Sequence, residues 1–304
     1  MKYETIIIRY GEIGLKGRVT RKNFEQSLIN NIKNALLTKQ IPHTIKREWG
    51  RIYVYADQIN KIIPILQKVF GITSISPATQ TQSTMDVMSK FAVNSSKEVL
   101  TKGKSFAMRI TRTGKHKFTS QDVAVKIGSD VVKATNAFVN LTKPDFELFI
   151  EIRDDDAFIF KEKIRGTGGL PLGTQGKALS VVDSPKSILA AWYLMRRGCK
   201  IDFAITAKIK EDMLQAFIEQ WNAYSDITHI TGKSKNLYKN LNKIALEKNC
   251  DAIVTGHTLY ESQSDCLSEI KLLKQYAEIP ILHPLISMDK KTINKKCKEI
   301  GLKL

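Results

Sequence analysis

A short polar segment, Asp183-Ser184-Pro185-Lys186-Ser187, separates an apolar strand pattern from an amphipathic helix pattern. In a parallel sheet, such a turn places the first amides of the helix at the carboxyl edge of the strands, where the helix dipole favours an anion such as a nucleotide phosphate. Lys186 and Ser187 carry groups that bind phosphate, whereas Ser184 and Pro185 fit the N-cap and the first position of an ordinary helix. The segment therefore indicates either a nucleotide-binding turn, with Ser184, Lys186 and Ser187 as contacts, or simply a well-capped helix start.

A second group of polar residues follows another apolar run, AIV at 252–254. Thr255, Gly256 and His257 come directly after this run, and the carboxyl ends of parallel strands meet at one edge of a sheet. We therefore expect these three residues to lie near the 183–187 segment and to complete a nucleotide site. A histidine at a strand end is more often hydrogen bonded than catalytic, so no catalytic residue is assigned.

The sequence contains few residues in patterns typical of metal ligands. Three adjacent carboxylates, Asp154-Asp155-Asp156, stand between two strand patterns, and acids at a hairpin tip are typical of a solvated turn. The four cysteines show no C-x-x-C spacing and no disulfide framework. We expect no metal site and four reduced thiols, at Cys199, Cys250, Cys266 and Cys297.

Strand and helix patterns alternate from residue 179 onward, which predicts an α/β, doubly wound, Rossmann-like parallel sheet. The strand patterns are LSVV (179–182), IDFAI (201–205), ITHI (227–230), AIVTG (252–256) and PIL (280–282). The helix patterns cover 185–197, Glu211–Ala223, Asn236–Lys248, Ser262–Tyr276 and a last segment that begins at Asp289.

The first half of the chain has a different, α+β organisation. Residues 5–76 show the order β-α-β-β-α-β of a ferredoxin-like module, with a hairpin turn near Trp49-Gly50 and a closing strand at Thr73–Ser76. A second module follows over 77–164, with helices near Asp86–Leu100 and Gln121–Ala134 and with three strand patterns. We expect both modules to be α+β.

The charge of the chain indicates a polyanionic partner. Its 304 residues carry a net charge of +18 and a pI near 9.6, and residues 1–165 hold +12 of that charge. Such an excess favours nucleic acid over a membrane surface. The candidate RNA contacts are Arg9, Lys16, Arg18, Arg21 and Lys22 near the first strand, and Arg109, Arg112, Lys115 and Lys117 in the second module.

The hydrophobic pattern predicts a cytoplasmic protein that makes no contact with a membrane. No apolar run approaches the length of a membrane span, and Met1 leads straight into a strand pattern without a signal peptide.

Several separated motifs together resemble the tRNA 4-thiouridine synthases, or tRNA sulfurtransferases, in a form similar to the archaeal members. The resemblance covers essentially the whole chain in the domain order of that family. It rests on YGEIGLKG (10–17), GTGGLPLGTQGK (166–177), AIVTG (252–256) and IPILHPLISMDK (279–290).

The resemblance implies four parts. The first is an N-terminal ferredoxin-like domain at 1–59, and the second is a THUMP RNA-binding domain at 60–164. The last helix and strand of the ferredoxin-like fold, to about residue 76, are shared with the THUMP domain. A linker at 165–178 and a domain similar to PP-loop ATP pyrophosphatases at 179–304 follow. In the family the first two domains hold the acceptor region of tRNA. The third uses ATP and Mg²⁺ to adenylate U8, and a persulfide sulfur then displaces AMP.

The chain departs from the family pattern at the ATP loop. The family loop reads Ser-Gly-Gly-x-Asp-Ser, whose glycines let successive amides wrap pyrophosphate, whereas Asp183–Ser187 is one residue shorter and has no glycine. An Arg expected before Pro-Leu is replaced by His283. The sulfur-carrying cysteine segment of the family corresponds to positions beyond Leu304, so we expect that thiol to be missing.

We therefore expect a tRNA-binding protein of this family with impaired or absent thiolation chemistry. The alternative is an active ATP-dependent tRNA sulfurtransferase that makes 4-thiouridine at U8 with an external sulfur donor; it would use ATP and Mg²⁺, and no other cofactor is expected. A protein partner bound through residues 179–304, and a homodimer, are left open.

Overall fold

The computed structural model describes residues 3–206, 209–232, 235–260 and 266–302. The chain forms two compact units, each assembled from three stretches of sequence. Unit 1 comprises Met1–Arg9, Leu36–Gln67 and Thr73–Gly166, and unit 2 comprises Tyr10–Ala35, Lys68–Ile72 and Thr167–Leu304. Residues 10–35 and 68–72 therefore group with the third predicted domain, although they lie far from it in sequence.

One mixed sheet runs through both predicted modules of the first half. Its spatial order is β2-β3-β1-β4-β8-β7-β5-β6, and β9 also pairs with β4. The strands are β1 (Thr5–Tyr10), β2 (Thr44–Glu48), β3 (Arg51–Tyr55), β4 (Ile72–Gln82), β5 (Ser105–Thr113), β6 (Phe138–Val139), β7 (Phe146–Arg153), β8 (Asp156–Phe160) and β9 (Ile164–Arg165).

Strand β4 joins the two modules. The sequence predicts a short closing strand at Thr73–Ser76, but β4 has 11 residues. Its first part pairs with β9 at Ser74 and Ile75, and its last part, 79–82, pairs antiparallel with β8. The two modules consequently share strand β4, which extends past the closing strand that the sequence predicts.

The helices of the first half follow the apolar periodicity closely. Thr119 and Asp122 form a reciprocal capping box at the start of α4, with N···O distances of 2.7 and 3.1 Å, which explains why α4 begins at Ser120. None of the described helices is both long and apolar enough to cross a membrane. The helices are α1 (Arg18–Thr38), α2 (Ile59–Leu66), α3 (Met85–Lys97) and α4 (Ser120–Thr135).

Unit 2 contains the predicted parallel sheet, in the order β12-β11-β10-β13-β14. Each pair of neighbouring strands is parallel, which confirms the α/β prediction. The predicted helix Ser262–Tyr276 is described from Cys266 onward, and its first residues lie outside the described ranges. The elements are β10 (Lys177–Val182), α5 (Pro185–Arg196), β11 (Lys200–Ile205), α6 (Glu211–Gln220), β12 (Ile227–His229), α7 (Lys235–Glu247), β13 (Ala252–Val254), α8 (Cys266–Tyr276), β14 (Ile281–Leu282) and α9 (Lys290–Glu299).

The glycine-rich connector before β10 is packed tightly against the end of α5. Gly169 has φ +78°, and a Cβ added there would lie 2.0 Å from the carbonyl oxygen of Arg196, so only glycine fits. The amide of Leu170 donates to that same carbonyl at 3.0 Å. The connector thereby closes the C-terminal end of α5 and fixes where β10 begins.

An aromatic cluster holds residues 68–72 in the core of unit 2. The ring of Phe70 lies 5.5 Å from Trp221 and 6.1 Å from Trp192, measured between centroids. The two tryptophans, 8% and 7% exposed, also contact each other edge to face. Large buried rings contribute strongly to core stability, so this cluster positions α5 and α6 around the sheet.

Candidate functional site

The polar segment 183–187 starts α5 at the carboxyl end of β10. Ser184 occupies the N-cap with extended backbone angles, and Pro185 takes the first helical turn, as the sequence predicts. The hydroxyl of Ser184 does not cap the helix; it donates to Oδ1 of Asp183 at 3.0 Å. Ser184 Oγ therefore accepts no hydrogen bond from a helix amide, and its hydroxyl hydrogen goes to Asp183.

Ser187 lies beneath this turn. Its side chain is fully buried, and its hydroxyl donates to the same Asp183 Oδ1 at 2.5 Å. One carboxylate oxygen thus receives two hydroxyl groups, from Ser184 and Ser187. The sequence suggested Ser187 as a phosphate contact, whereas the structure turns its hydroxyl inward toward Asp183.

Gly256, at the end of β13, lies directly against the first turn of α5. A Cβ added at Gly256 would lie 2.8 Å from Oγ, 2.9 Å from Cα and 3.0 Å from N of Ser187. Two of these three atoms belong to the backbone and cannot rotate away. The sheet edge and the helix start therefore meet without a side chain between them, and little space remains beside the amide of Ser187.

A cavity of about 530 Å³ opens at this edge of the sheet. It brings together four of the six predicted nucleotide contacts, Lys186, Thr255, Gly256 and His257, whereas Ser184 and Ser187 are absent from its lining. Asp183, Glu269 and Tyr238 also line it, and none of the three is among the contacts that the sequence predicts. The remaining lining residues are Val181, Thr206, Gly232, Leu237, Leu241 and Leu273.

Two histidines share one threonine hydroxyl beside the cavity. Oγ1 of Thr255 lies 2.8 Å from Nδ1 of His257 and 2.6 Å from Nδ1 of His283. A hydroxyl carries one hydrogen, so it donates to one ring and accepts from the other. Two neutral rings must therefore adopt different tautomers, one protonated on Nδ1 and the other on Nε2.

The environment keeps His283 uncharged at neutral pH. Burial, followed by the proximity of His257, lowers the pKa of His283 from 6.5 to about 4. His257 has a nearby acid instead, because its Nε2 lies 3.6 Å from Oε2 of Glu269. His257 is thus the ring of the pair that faces the cavity and an acid.

Among the predicted RNA contacts of unit 2, Lys16, Arg18 and Lys22 are exposed and Arg21 is half-buried. Lys16 follows a 3₁₀ turn at Glu12–Leu15, and Arg18 is the first residue of α1. Their charges are therefore presented to solvent over a short stretch of chain, in a manner suited to phosphate contacts.

Arg9, the predicted contact in unit 1, is engaged in a buried ion-pair network. Glu151, 3% exposed, pairs with Arg9, Arg51 and Arg153 at 3.2, 2.7 and 2.9 Å. Burial raises the pKa of Glu151, but Arg51, Arg153 and Arg9 together hold it below its ordinary value. The guanidinium of Arg9 also lies 5.0 Å from the ring centroid of Phe160. Arg9 therefore contributes to the interior of unit 1.

The four predicted contacts of the second module divide into two kinds. Arg109 donates to Glu147 at 2.7 Å and to the carbonyl of Leu141 at 2.8 Å, and Arg112 contacts Nδ1 of His116 at 3.2 Å. Lys115 and Lys117 are exposed in the loop that follows β5. The two lysines present their charges to solvent, whereas Arg112 contacts the loop through His116 and Arg109 pairs with Glu147.

Models of known domains match the chain in three places. The ThiI ferredoxin-like domain matches residues 5–76, the THUMP domain matches 82–162, and the model described as Thiamine biosynthesis protein (ThiI) matches 220–303.

Curated relatives match the chain over nearly its full length. A probable tRNA sulfurtransferase of Methanobrevibacter smithii is 34% identical, over 99% of this chain and 87% of the relative. The chain belongs to the tRNA sulfurtransferase family. A second member, from Methanocaldococcus jannaschii, is 35% identical over 97% of this chain and 87% of its own length. The match to the first member extends over 337 residues, more than the 304 of this chain, so that sulfurtransferase has internal residues without a counterpart here.

Solved structures of similar proteins support the same fold. PH1313 from Pyrococcus horikoshii has a TM-score of 0.85 at 28% identity, covering 98% of this chain and all of that chain. A 4-thiouridine synthetase, solved as an RNA complex with bound ATP, has a TM-score of 0.83 at 26% identity, over 98% and 85% of the two chains. The ferredoxin-like, THUMP and PP-loop-like architecture of the sulfurtransferase family is therefore present here.

Substitution Gly256→Ala tests the close approach of β13 and α5. The added methyl group would overlap the backbone of Ser187, and overpacking of this kind costs about 1–3 kcal/mol in the free energy of unfolding. Urea unfolding followed by tryptophan fluorescence measures the loss. Gly128→Ala in α4 is the control: its added methyl group would be 4.0 Å from the nearest atom, and a helical alanine stabilises by roughly 0.5–1 kcal/mol. Equal stability of the wild type and Gly256→Ala would contradict the close approach.

The lowered pKa of His283 predicts a loss of stability in acid. Below pH 6.5 the unfolded chain protonates this ring more readily than the folded chain, whose pKa is about 4. The unfolded state therefore binds more protons, and stability falls as the pH decreases from 6.5 to 4. In urea titrations across this window, His283→Asn is expected to flatten the dependence of the free energy of unfolding on pH. A variant with the same slope as the wild type would show that His283 is not held neutral.

Proposed function

We propose that this member of the tRNA sulfurtransferase family binds tRNA and does not carry out the ATP-dependent thiolation reaction. The observation that carries the proposal is the turn at the start of α5, which contains Pro185 and no glycine. Wrapping of pyrophosphate requires free amides at the start of the helix that follows β10. Here Pro185 has no amide hydrogen, the amide of Ser187 donates to the carbonyl of Ser184 at 3.1 Å, and the space beside it is filled by Gly256.

The electrostatics of the turn support the same proposal. Asp183 lines the cavity and receives the hydroxyls of Ser184 and Ser187, so a carboxylate stands near the helix start that would meet the phosphates. A negative charge in that place opposes a polyphosphate unless a cation intervenes. Lys186 lines the same cavity as Asp183 and Glu269, so one ammonium group stands beside two carboxylates there.

The cysteines offer little support for sulfur transfer. A thiolate is the reactive form of cysteine, and burial raises the pKa of Cys199, Cys250 and Cys297, in Cys297 to about 11. Cys266 is buried at the start of α8. Persulfide chemistry on this chain would need a thiol that is more exposed and more acidic.

RNA binding is supported by the positive charge of residues 1–165 and by similarity to RNA-binding proteins. Residues 1–165 hold +12 of the net charge, the THUMP model matches 82–162, and the related 4-thiouridine synthetase was solved with RNA. We propose that the acceptor region of tRNA is the ligand. Exposed Lys16, Arg18, Lys22, Lys115 and Lys117 are the side chains proposed to contact its phosphates.

The alternative function is an active sulfurtransferase that uses ATP and an external sulfur donor. The cavity at the sheet edge favours it, because about 530 Å³ lined by Lys186, Tyr238 and His257 is of the size that small-molecule sites occupy. The described residues include no cluster of three or more metal-ligating side chains, so Mg²⁺ would enter with the nucleotide, with Asp183 or Glu269 as its protein carboxylate.

Lys115→Gln combined with Lys117→Gln tests RNA binding by the second module. Each lost phosphate contact lowers the slope of log affinity against log salt by about 0.9, so the double variant is expected to lower it by up to roughly 2. Filter binding of tRNA to the intact chain over a salt series measures the effect. Lys90→Gln with Lys97→Gln removes the same charge from exposed positions on α3 and serves as the control. Equal slopes for the two double variants would contradict a specific role for the loop.

Direct assays of the reaction products distinguish a protein that only binds tRNA from an active sulfurtransferase. We expect no tRNA-dependent release of pyrophosphate from ATP, and no 4-thiouridine when tRNA, ATP, Mg²⁺ and a persulfide donor are supplied together. Labelled pyrophosphate and mass spectrometry of nucleosides are the measurements, with an active family member as positive control. Turnover of either product would establish the alternative, and Lys186→Gln would then be the first variant to examine.

A further inference from the structure

Helix α9 carries an unusual density of positive charge. Its ten residues, KKTINKKCKE, contain five lysines and one acid. Ile293 and Cys297 are buried in the core of unit 2, so they fix which side of the helix faces inward. Asp289 caps the helix by accepting the amide of Thr292 at 2.8 Å, which anchors its first turn.

Four of the five lysines share one side of the helix. At 100° per residue, Lys290, Lys291, Lys295 and Lys298 fall within an arc of about 140°. Lys291, Lys295 and Lys298 lie opposite the buried Ile293 and Cys297, whereas Lys290 lies about 20° from Cys297 at the edge of this arc. All four are exposed, and together with Asn294 and Glu299 they line a shallow groove. We call these four residues the α9 lysine face.

The α9 lysine face has no acidic partner within the part of the chain that the structure describes. The single acid of the helix, Glu299, binds the fifth lysine, Lys296, at 2.7 Å. Lysines spaced three or four residues apart repel one another, and Lys290 and Lys291 also lie in the first helical turn, where the dipole disfavours a positive charge. Of the four, only Lys298 lies in the last turn, where the helix dipole favours a positive charge, so an external anion is the natural counterpart of the face as a whole.

We propose that the α9 lysine face contacts the phosphate backbone of tRNA, as a second RNA-binding surface in unit 2. This inference rests on the proposed function of the chain as a tRNA binder. A row of exposed ammonium groups without base-reading side chains is suited to phosphates rather than to sequence. The contact therefore adds affinity without selecting among tRNAs.

An anionic membrane is a poorer fit to the same charges. A helix that lies on a membrane inserts a free apolar face beside its lysines. The apolar residues of α9, Ile293 and Cys297, are committed to the core, and the lysine face itself contains no apolar residue. The surface can therefore attract lipid head groups but cannot insert among them.

The test replaces all four lysines of the face by glutamine in the full-length chain. Tritium-labelled tRNA binding is measured from about 50 to 300 mM salt, beside a control in which Lys239, Lys243, Lys271 and Lys274, which are exposed on α7 and α8, are replaced in the same way. If two to four phosphate contacts are lost, the salt slope falls by about 2–4, and affinity near 0.15 M salt falls by on the order of tenfold or more. The control removes the same charge and is expected to change the affinity much less. Replacing the four lysines by arginine is expected to retain binding.

Several outcomes would overturn the proposal. Equal losses in the two glutamine variants would assign the effect to net charge alone, and unchanged affinity would remove α9 from the interface. Wild-type protein that fails to bind tRNA would remove the proposed function as well, whereas binding by the wild type with no α9 effect removes only this inference. Loss of binding to phosphatidylglycerol vesicles in the α9 variant, with tRNA affinity intact, would assign the face to a membrane. Circular dichroism confirms that each variant is folded.

Discussion

The end of β13 and the first turn of α5 meet without a side chain between them, and the site at the sheet edge depends on that contact. Because Gly256 occupies the space next to Ser187, the serine hydroxyl turns toward Asp183, and Asp183 in turn receives Ser184. One carboxylate thereby accepts both hydroxyl groups at the start of α5. The cavity beyond it is lined by Lys186 and His257.

The same edge also explains the two histidines. Thr255 precedes Gly256 and holds both rings through one hydroxyl, although His257 and His283 follow different strands. In this chain both rings contact the same atom, Oγ1 of Thr255. His257, His283 and Thr255 therefore form one hydrogen-bonded group.

The sequence pattern was enough to predict most helices and strands, but it did not predict where individual side chains point. Alternating patterns placed the strands and helices of unit 2 to within a few residues, because each element buries its own apolar face. The inward turn of Ser187 depends on Gly256, 69 positions later, and no local pattern reports such a contact. Arg9 and Arg109 carried the same charge signal as Lys115, yet Arg9 pairs with Glu151 in the interior and Arg109 pairs with Glu147 at the surface. The length of β4 was missed because its second half pairs with β8, which the local pattern could not reveal.

The shared strand also has a consequence for the history and the mechanics of unit 1. At about 3.3 Å per residue, the 11 residues of β4 form a continuous strand of roughly 36 Å. This strand is hydrogen bonded to β9 near one end and to β8 at the other. If either module separated from β4, the other module would be left with an unpaired strand edge. Unit 1 is therefore expected to unfold as one cooperative block, and recombination that exchanges one module alone would have to cut through the middle of a strand.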